Sequence, residues 1–214
     1  MKPSHDSGAS ASVALLAVLS APAVTAHADG LSIRSAVLFS TRCAHCHEGE
    51  CSGRMSLHLA DHAADQHIRR HGGDLPQNTV QDLAELLRYT KERCAFYPIP
   101  LNLAQDGSWG GNTLDRVRDP DGTAYFLPLG RLESGAYRLW MDGVEPDVRV
   151  CAELIAADFD FVRHNGVTPD GERQGLRFQV EVPTEVFLRL RTQGPIVLTR
   201  VELIGPGSAT SNDE

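Results

Sequence analysis

Five consecutive residues near the beginning of the chain, Cys43-Ala44-His45-Cys46-His47, form a Cys-x-x-Cys-His motif. Two thiols at this spacing can add to the two vinyl groups of a haem, and the histidine that follows can bind the iron as the proximal ligand. A chain that uses the motif in this way has to fold around a large apolar cofactor. The sequence therefore predicts one covalent haem c, attached through Cys43 and Cys46 and bound by His47.

Two other interpretations of the cysteine pair stay open beside chance occurrence. A zinc site would need a second pair of ligands at matching spacing, whereas the later cysteines, Cys51, Cys94 and Cys151, are single. A redox dithiol belongs at the helix start of a strand and helix pattern, and no hydrophobic strand precedes Cys43. The sequence favours haem attachment over both.

The N-terminus has the features of an export signal. Lys2 gives a weakly basic start, Val13 to Val24 is an apolar run, and Ala26-His27-Ala28 is a small-x-small cleavage pattern. We expect a signal peptide at residues 1–28, cleaved after about Ala28, and a mature protein in the periplasm, where haem c is normally attached. No membrane span is predicted, because the run is shorter than the roughly 20 apolar residues that cross a bilayer.

The charge of the chain excludes one class of partner. There are 28 acidic and 20 basic side chains, and no cluster of Lys or Arg is longer than Arg69-Arg70. Nucleic-acid binding proteins need a basic surface, so no nucleic acid is expected. An acidic surface could steer a basic redox partner protein, although solubility explains the same charge.

Composition changes near residue 100, which predicts two domains. Eight of the nine histidines precede residue 72, whereas alternating apolar runs lie in the second half. A Pro- and Gly-containing stretch, residues 98–114, reads as a linker. We therefore expect a helical domain at 29–97, a β-sandwich at 115–206 and a disordered tail at 207–214.

The first domain is predicted to contain three helices. The first runs from Leu31 to Thr41 and leads into the cysteine motif, and the second runs from Leu57 or Asp61 to His71. The third is capped by Asn78 or Thr79 and ends at Arg93. Its apolar face comprises Val80, Leu83, Leu86, Leu87 and Thr90.

Residues 29–97 resemble small class I cytochromes c. Leu38-Phe39, the Cys-x-x-Cys-His motif and the helix from Leu83 to Tyr89 are similar to the first helix, haem motif and last helix of that family. The resemblance covers about a third of the chain. It implies a small all-α cytochrome c domain, whose first and last helices cross beside the haem, and a single-electron carrier that is not an enzyme.

The family usually takes a methionine as the distal iron ligand, and here the sequence departs from that pattern. Met55, the methionine between the motif and the last helix, follows His47 by eight residues. His71 follows His47 by 24 residues and directly precedes Gly72-Gly73, where related cytochromes often place their methionine. We therefore expect a bis-histidine haem with His71 as distal ligand. The alternatives left open are His67, Met55, His58, His62 and an open or water-bound iron.

The remaining cysteines predict one disulfide. Cys51 and Cys94 both lie in the haem-binding part of the sequence, and a bond between them would stabilise by about 3–4 kcal/mol in the chain-entropy model. Two free thiols are the alternative. Cys151 is expected to be an unpaired, buried side chain in a strand.

The second half alternates short β-rich runs with turn signals, which predicts a β-sandwich. Ser134 to Leu139 and Ile196 to Leu203 resemble strands of jelly-roll and galactose-binding-like modules. That resemblance implies a possible carbohydrate ligand. The aromatic candidates for stacking on a sugar are Trp109, Tyr125, Tyr137 and Trp140, with a place in the core as the alternative for each.

These observations predict an α + β two-domain protein, an all-α cytochrome c domain followed by an all-β, jelly-roll-like sandwich. The expected function is a periplasmic electron carrier with one six-coordinate haem, docked to a redox partner through the sandwich. One alternative is a haem enzyme or gas-binding sensor with an open distal site. Another is a carbohydrate-binding module that delivers electrons to a redox enzyme.

Overall fold

A computed structural model of the chain describes residues 31–48, 61–101, 106–145, 147–166, 168–170 and 173–206. The predicted signal peptide with its cleavage site and the predicted tail lie outside the described residues, as do Cys51, Met55 and His58. From Leu31 onward the chain forms one compact unit. Within the described ranges, no helix combines the length and the hydropathy that crossing a bilayer requires.

Helices occupy the first part of the described chain and one short segment before the sheets. In chain order they are α1 (Ile33–Leu38), a π-helical turn (Phe39–Cys43), α2 (Ala44–His47), α3 (Asp61–Gly72), α4 (Gln77–Arg93) and α5 (Asn112–Arg116). The first three follow one another without interruption. The helical stretch was predicted to end at Thr41, but it continues through the cysteine motif to His47.

Local hydrogen bonds explain the course of this first helical stretch. The side chain of Ser32 caps α1, because its Oγ accepts the N–H of Ser35 at 3.0 Å. The π-helical turn then widens the helix just before the motif, where the N–H of Ala44 donates to the carbonyl of Phe39. The first thiol, Cys43, is the last residue of that turn.

A tight turn separates α3 from α4. Gly73 has a φ of +80°, a conformation that glycine adopts without the strain of a side chain. Arg69 in the last turn of α3 donates from Nη1 to the carbonyl of Leu75 at 2.9 Å. The end of α3 is therefore held close to the start of α4.

The long helix α4 buries the face that the sequence predicted. The predicted caps, Asn78 and Thr79, are wrong: the helix begins at Gln77, and Pro76, with a φ of −55° and an extended ψ, occupies the N-cap position two or three residues earlier. The helix ends at Arg93, as predicted, and the next residue, Cys94, has a left-handed backbone. The prediction for the buried face is confirmed for Val80, Leu83, Leu86, Leu87 and Thr90.

The strands in the described part of the chain form two antiparallel sheets. They are β1 (Ser108–Gly110), β2 (Ala124–Leu132), β3 (Gly135–Asp142), β4 (Val150–Ala156), β5 (Phe161–Gly166), β6 (Thr168–Asp170), β7 (Arg173–Val180), β8 (Thr184–Thr192) and β9 (Arg200–Ile204). The order is β1-β9-β3-β7-β6 in the first sheet and β2-β8-β4-β5 in the second.

This strand order is that of a jelly roll. β1 to β4 alternate between the two sheets, and β7 to β9 alternate again, so the long connections cross the ends of the sandwich. Apolar side chains fill the space between the sheets. Among the fully buried ones are Leu139, Met141, Leu154, Leu188 and Val201.

The helices cover the outer face of the four-stranded sheet, the face turned away from the other sheet. β2, β4 and β8 are buried along most of their length on both faces, which is typical of a sheet packed on two sides. Phe96, just after α4, packs among Phe126, Phe159 and Phe187 with ring centroids 4.8–5.0 Å apart. A single apolar cluster therefore runs from the helices into the sandwich.

The predicted fold class, with a separate small all-α cytochrome c domain ahead of the sandwich, is wrong. The described residues are mostly β with a few short helices, and the helices share their core with the sheets. The physical reason is that the π-helical turn and Phe96 bury their side chains against β2 and β8 instead of closing a helical core. β1, within the segment 98–114 that reads as a linker, pairs with β9.

Candidate functional site

The Cys-x-x-Cys-His motif borders a cleft between the helices. The cleft has a cavity volume of about 180 Å³, and the empty space within its walls reaches about 690 Å³ when the part open to solvent is included. Three helical stretches supply its walls. The lining residues are Phe39, Arg42, Cys43, Cys46, His47, His67, Ile68, His71, Leu83 and Leu87.

The walls of the cleft combine apolar side chains with imidazole and thiol groups. Phe39, Ile68 and Leu83 are buried and give it apolar surface. Cys43 and His47 are half-buried, whereas Cys46 is exposed. The cleft therefore offers two thiols and an imidazole beside an apolar surface.

An imidazole on α3, that of His67, lies near the imidazole of the motif. The ring centroids of His47 and His67 are 6.0 Å apart, with an angle of 69° between the ring planes. His71 lies one helical turn after His67, and their ring centroids are 4.7 Å apart. The structure thus brings the predicted proximal ligand, the predicted distal ligand and its nearest rival into one cleft.

The environment of Cys43 disfavours the redox-dithiol interpretation. Burial raises the pKa of the Cys43 thiol to about 11, with Cys46 adding to the rise and Arg42 opposing it. A reactive thiol of a redox dithiol usually has a lowered pKa, because the thiolate is the attacking species. Cys43 instead keeps its proton at neutral pH, as a thiol packed in an apolar wall does.

The residues of the cleft fit a covalently attached haem. Haem c requires two thiols at Cys-x-x-Cys spacing, an imidazole directly after them and an apolar pocket, and all of these line one cavity here. An imidazole on the facing wall is available as a second iron ligand. Of the other ligand candidates, Met55, His58 and the side chain of His62 lie outside the described residues.

Cys94 and Cys151 do not line the cleft. Cys94 is disulfide-bonded, and its predicted partner, Cys51, lies outside the described residues. Cys151 has a free thiol and is half-buried in β4. The pairing of Cys51 with Cys94 stays a prediction.

A buried ion-pair network, which sequence reasoning missed, ties the motif to the sandwich. Arg189 in β8 is fully buried and donates from Nη1 to the carbonyl of Ser40 at 3.1 Å. It also pairs with Glu48, the residue after His47, and with Glu153 of β4. Burial by itself lowers the pKa of Arg189, but the hydrogen bonds and charges of Glu48 and Glu153 outweigh it, so the pKa is raised. Arg189 therefore remains charged.

A second ion pair joins the sandwich to the other side of the motif. Arg42, directly before Cys43, donates from Nη2 to Asp119 at 3.1 Å and also pairs with Asp121. Asp119 is buried, and its Oδ1 accepts the backbone N–H groups of Thr123 and Ala124. A turn of the sandwich thus holds the residue that precedes the first thiol.

Periodicity along a strand does not by itself identify these buried charged residues. Arg189 and Glu153 alternate with apolar neighbours, which is typical of a half-exposed strand. The signal that could have found them is the nearly continuous apolar run around each one, Val186 to Leu190 and Val150 to Ala156. Such runs indicate strands that are covered on both faces, where a charge needs a partner.

Most of the aromatic residues considered for sugar stacking are buried in the structure. Trp109, Tyr125 and Tyr137 are buried, so they do not present an open ring face. Trp140 is half-buried, and the guanidinium groups of Arg138 and Arg173 lie 5.4 Å and 5.3 Å from its ring centroid. Three of the four candidates therefore belong to the core.

Comparison with known proteins returns weak structural similarities. No family model matches the chain, and no curated protein matches it. Among solved structures, it is similar to the Anabaena sensory rhodopsin transducer, with 13% identity and a TM-score of 0.26 over 36% of this chain and 85% of that one. It is also similar to structures of the Gt and Gx strains of infectious bursal disease virus, with 13% and 14% identity. For these the TM-score is 0.23, over 49% of this chain and 29% and 30% of the viral chains. Similarities at this level do not establish a shared fold or function.

Proposed function

We propose that the chain is an exported c-type cytochrome that transfers single electrons through one covalently attached haem. The observation that supports this most strongly is the placement of the Cys-x-x-Cys-His motif on the wall of an apolar cleft with an imidazole opposite. A zinc site or a redox dithiol would not need the apolar walls. The export signal in the sequence agrees with the compartment in which haem c is normally attached.

Each residue of the motif has a separate role in this proposal. The S–H groups of Cys43 and Cys46 would each add across one vinyl C=C, sulfur to one carbon and hydrogen to the other, so attachment needs no external oxidant. His47 would bind the iron, while Phe39 and Leu83 would pack against the porphyrin. When bound, the haem supplies an iron that gains and loses one electron.

Ion pairs with the sandwich support the motif on both sides. Arg42 is held to Asp119 on one side of the motif, and Glu48 is held to Arg189 on the other. A fixed ligand geometry lowers the structural change that accompanies electron transfer. The side chain of Cys46 lines the cleft and is exposed, so a redox partner protein could approach the haem there. We propose that the sandwich also contributes to docking that partner.

Covalent attachment is tested by producing the full chain in a periplasm that contains the haem c maturation proteins. We expect a pyridine haemochrome spectrum of haem c with one haem per chain, and haem that stays on the chain in a denaturing gel. Cys43→Ala and Cys46→Ala should each lose one thioether bond and most of the holoprotein. Cys151→Ala is the matched control, since this thiol lies in β4 outside the cleft. Wild-type protein without covalent haem would disprove the proposal.

Electron transfer is distinguished from gas binding by the reactivity of the reduced protein. An electron carrier with two protein ligands on its iron should be reduced and reoxidised reversibly, and its reduced spectrum should not change rapidly under carbon monoxide. A rapid spectral change with carbon monoxide would instead support an open distal site, as in a sensor or a haem enzyme.

A further inference from the structure

Resting on the proposed haem, we propose that His67 is the distal iron ligand, on the opposite side of the iron from His47. The spacing in the sequence favours His71, one helical turn further on. The structure gives three observations that favour His67 instead: the distance between two imidazoles, the packing of the helix that presents one of them, and the position of His71 in that helix.

The distance between the two imidazoles matches that of two ligands on one metal. With metal–nitrogen bonds of about 2.0–2.1 Å on opposite sides of the ion, two imidazole centroids are about 6 Å apart. The centroids of His47 and His67 are 6.0 Å apart. The angle of 69° between the two rings is compatible with axial ligation, because rings on opposite sides of a porphyrin can rotate independently about their metal bonds.

The helix packing holds His67 over the cleft. Ile68, the next residue in α3, is 6% exposed and lines the same cavity as Leu83 and Leu87 of α4. This buried side chain fixes the rotation of α3, so the imidazole beside it has little freedom to leave the cleft. The His67 side chain is exposed in the cleft, where a bound haem would cover it.

His71 is placed as a neighbour of the distal ligand. The ring centroid of His71 lies 4.7 Å from that of His67. His71 is the second-last residue of α3, which ends at Gly72. Side chains four residues apart lie on the same helical face, so His71 lies beside His67 in the last turn of α3.

Two methionine variants of the holoprotein test the assignment by spectroscopy and by potential. In His67→Met, we expect the oxidised protein to gain the near-infrared methionine-to-iron band and to lose the bis-histidine electron paramagnetic resonance signal. Its midpoint potential should rise, because a thioether ligand favours reduced iron. His71→Met, the matched control one turn away, should keep the bis-histidine signal.

An alanine variant keeps the test informative if His67→Met does not accumulate. His67→Ala should give a high-spin iron that binds carbon monoxide when reduced, and added imidazole should restore the low-spin spectrum. A methionine band in His71→Met with an unchanged His67→Met would overturn the assignment, as would two unchanged variants. Wild-type protein that lacks covalent haem in the haemochrome assay would instead disprove the underlying function.

Discussion

The interior of the sandwich and the cleft between the helices use apolar side chains in different ways. Between the sheets, side chains such as Leu139 and Leu188 are fully buried by other side chains of the chain. In the cleft, Leu83 and Phe39 are equally buried in the walls, but Cys46 and His67 are exposed to the open space. The sandwich interior is filled by its own side chains, whereas the cleft leaves a thiol and an imidazole accessible.

Among the contacts that join the helices to the sandwich in the described part of the chain, those of Arg189, Phe96 and Arg42 differ in burial. Arg189 and Phe96 are buried between the helices and the four-stranded sheet. Arg42 reaches the sandwich at a partly exposed position, with 31% of its side chain accessible. We therefore expect changes at the buried residues Arg189 and Phe96 to reduce the free energy of unfolding strongly. A change at the partly exposed Arg42 should reduce it little.

The largest effect is expected for Arg189→Met. The change removes the ion pairs of Arg189 with Glu153 and with Glu48. Because Glu153 stays buried, we expect the free energy of unfolding to fall by about 3–5 kcal/mol, the usual cost of breaking a buried ion pair. Chemical denaturation of the haem-bound protein measures the loss. Arg191→Met is the matched control in the same strand, since Arg191 also pairs with Glu153 but is partly exposed, and it should cost about 1 kcal/mol or less. Equal losses in the two variants would contradict the prediction.

Phe96→Ala should have the next largest effect. It removes a ring that contacts three phenylalanines of the sandwich region, and the resulting cavity should cost about 3 kcal/mol. Tyr97→Ala is the control, because this half-buried ring makes its aromatic contact with Tyr89 in α4. Calorimetry should show a single transition with a lower midpoint. Two separate transitions would indicate that the helices and the sandwich fold independently.

The sequence predicted the individual elements better than their assembly. The face of α4 from Val80 to Thr90 follows from helical periodicity, and the strands follow from short β-rich runs between turn signals, because both depend on neighbours in the chain. The contacts of Phe96 and Arg189 connect residues far apart in the sequence. No local pattern encodes such contacts, so the apolar runs of β2 and β8 could be explained equally by a free-standing sandwich.

The same limit applies to the candidate site. The motif residues Cys43, Cys46 and His47 follow from fixed spacing within one helical stretch. The distal position depends on how α3 lies over the cleft, which is set by the burial of Ile68 against α4. Two histidines four residues apart are equivalent in the sequence, and tertiary packing separates them.

A loss of stability at high pH should identify the Cys43 thiol in the haem-free protein. Burial raises the pKa of Cys43 from its ordinary value of 9.0 to about 11, so the neutral thiol stabilises the folded state below pH 9. This contribution, on the order of 2 kcal/mol, is lost as the pH rises from about 9 to 11. Denaturation across this range should show a stability advantage over Cys43→Ala that shrinks with pH. Tyr125 and Tyr137, whose pKa values burial also raises, titrate in both proteins and cancel in the difference.

The haem-bound protein supplies the contrast for that measurement. Its Cys43 sulfur would be a thioether without a titratable proton, so the shrinking advantage should be absent. A pH dependence that is the same with and without haem would mean that Cys43 is not the thiol that joins the porphyrin.

The smallest effect is expected for Arg42→Leu, and it should depend on salt. Arg42 pairs with Asp121, which is largely exposed, as well as with buried Asp119, and partly exposed ion pairs contribute about 0.5–1 kcal/mol at low ionic strength. Screening shortens the range of charge interactions from about 10 Å at 0.1 M salt to about 3 Å at 1 M. The difference between wild type and Arg42→Leu should therefore decrease between these salt concentrations, whereas the cost of Arg189→Met, which is buried, should hardly change. A salt-independent cost for Arg42→Leu would show that its contact with Asp119 behaves as a buried attachment, and the motif would then be held rigidly on both sides.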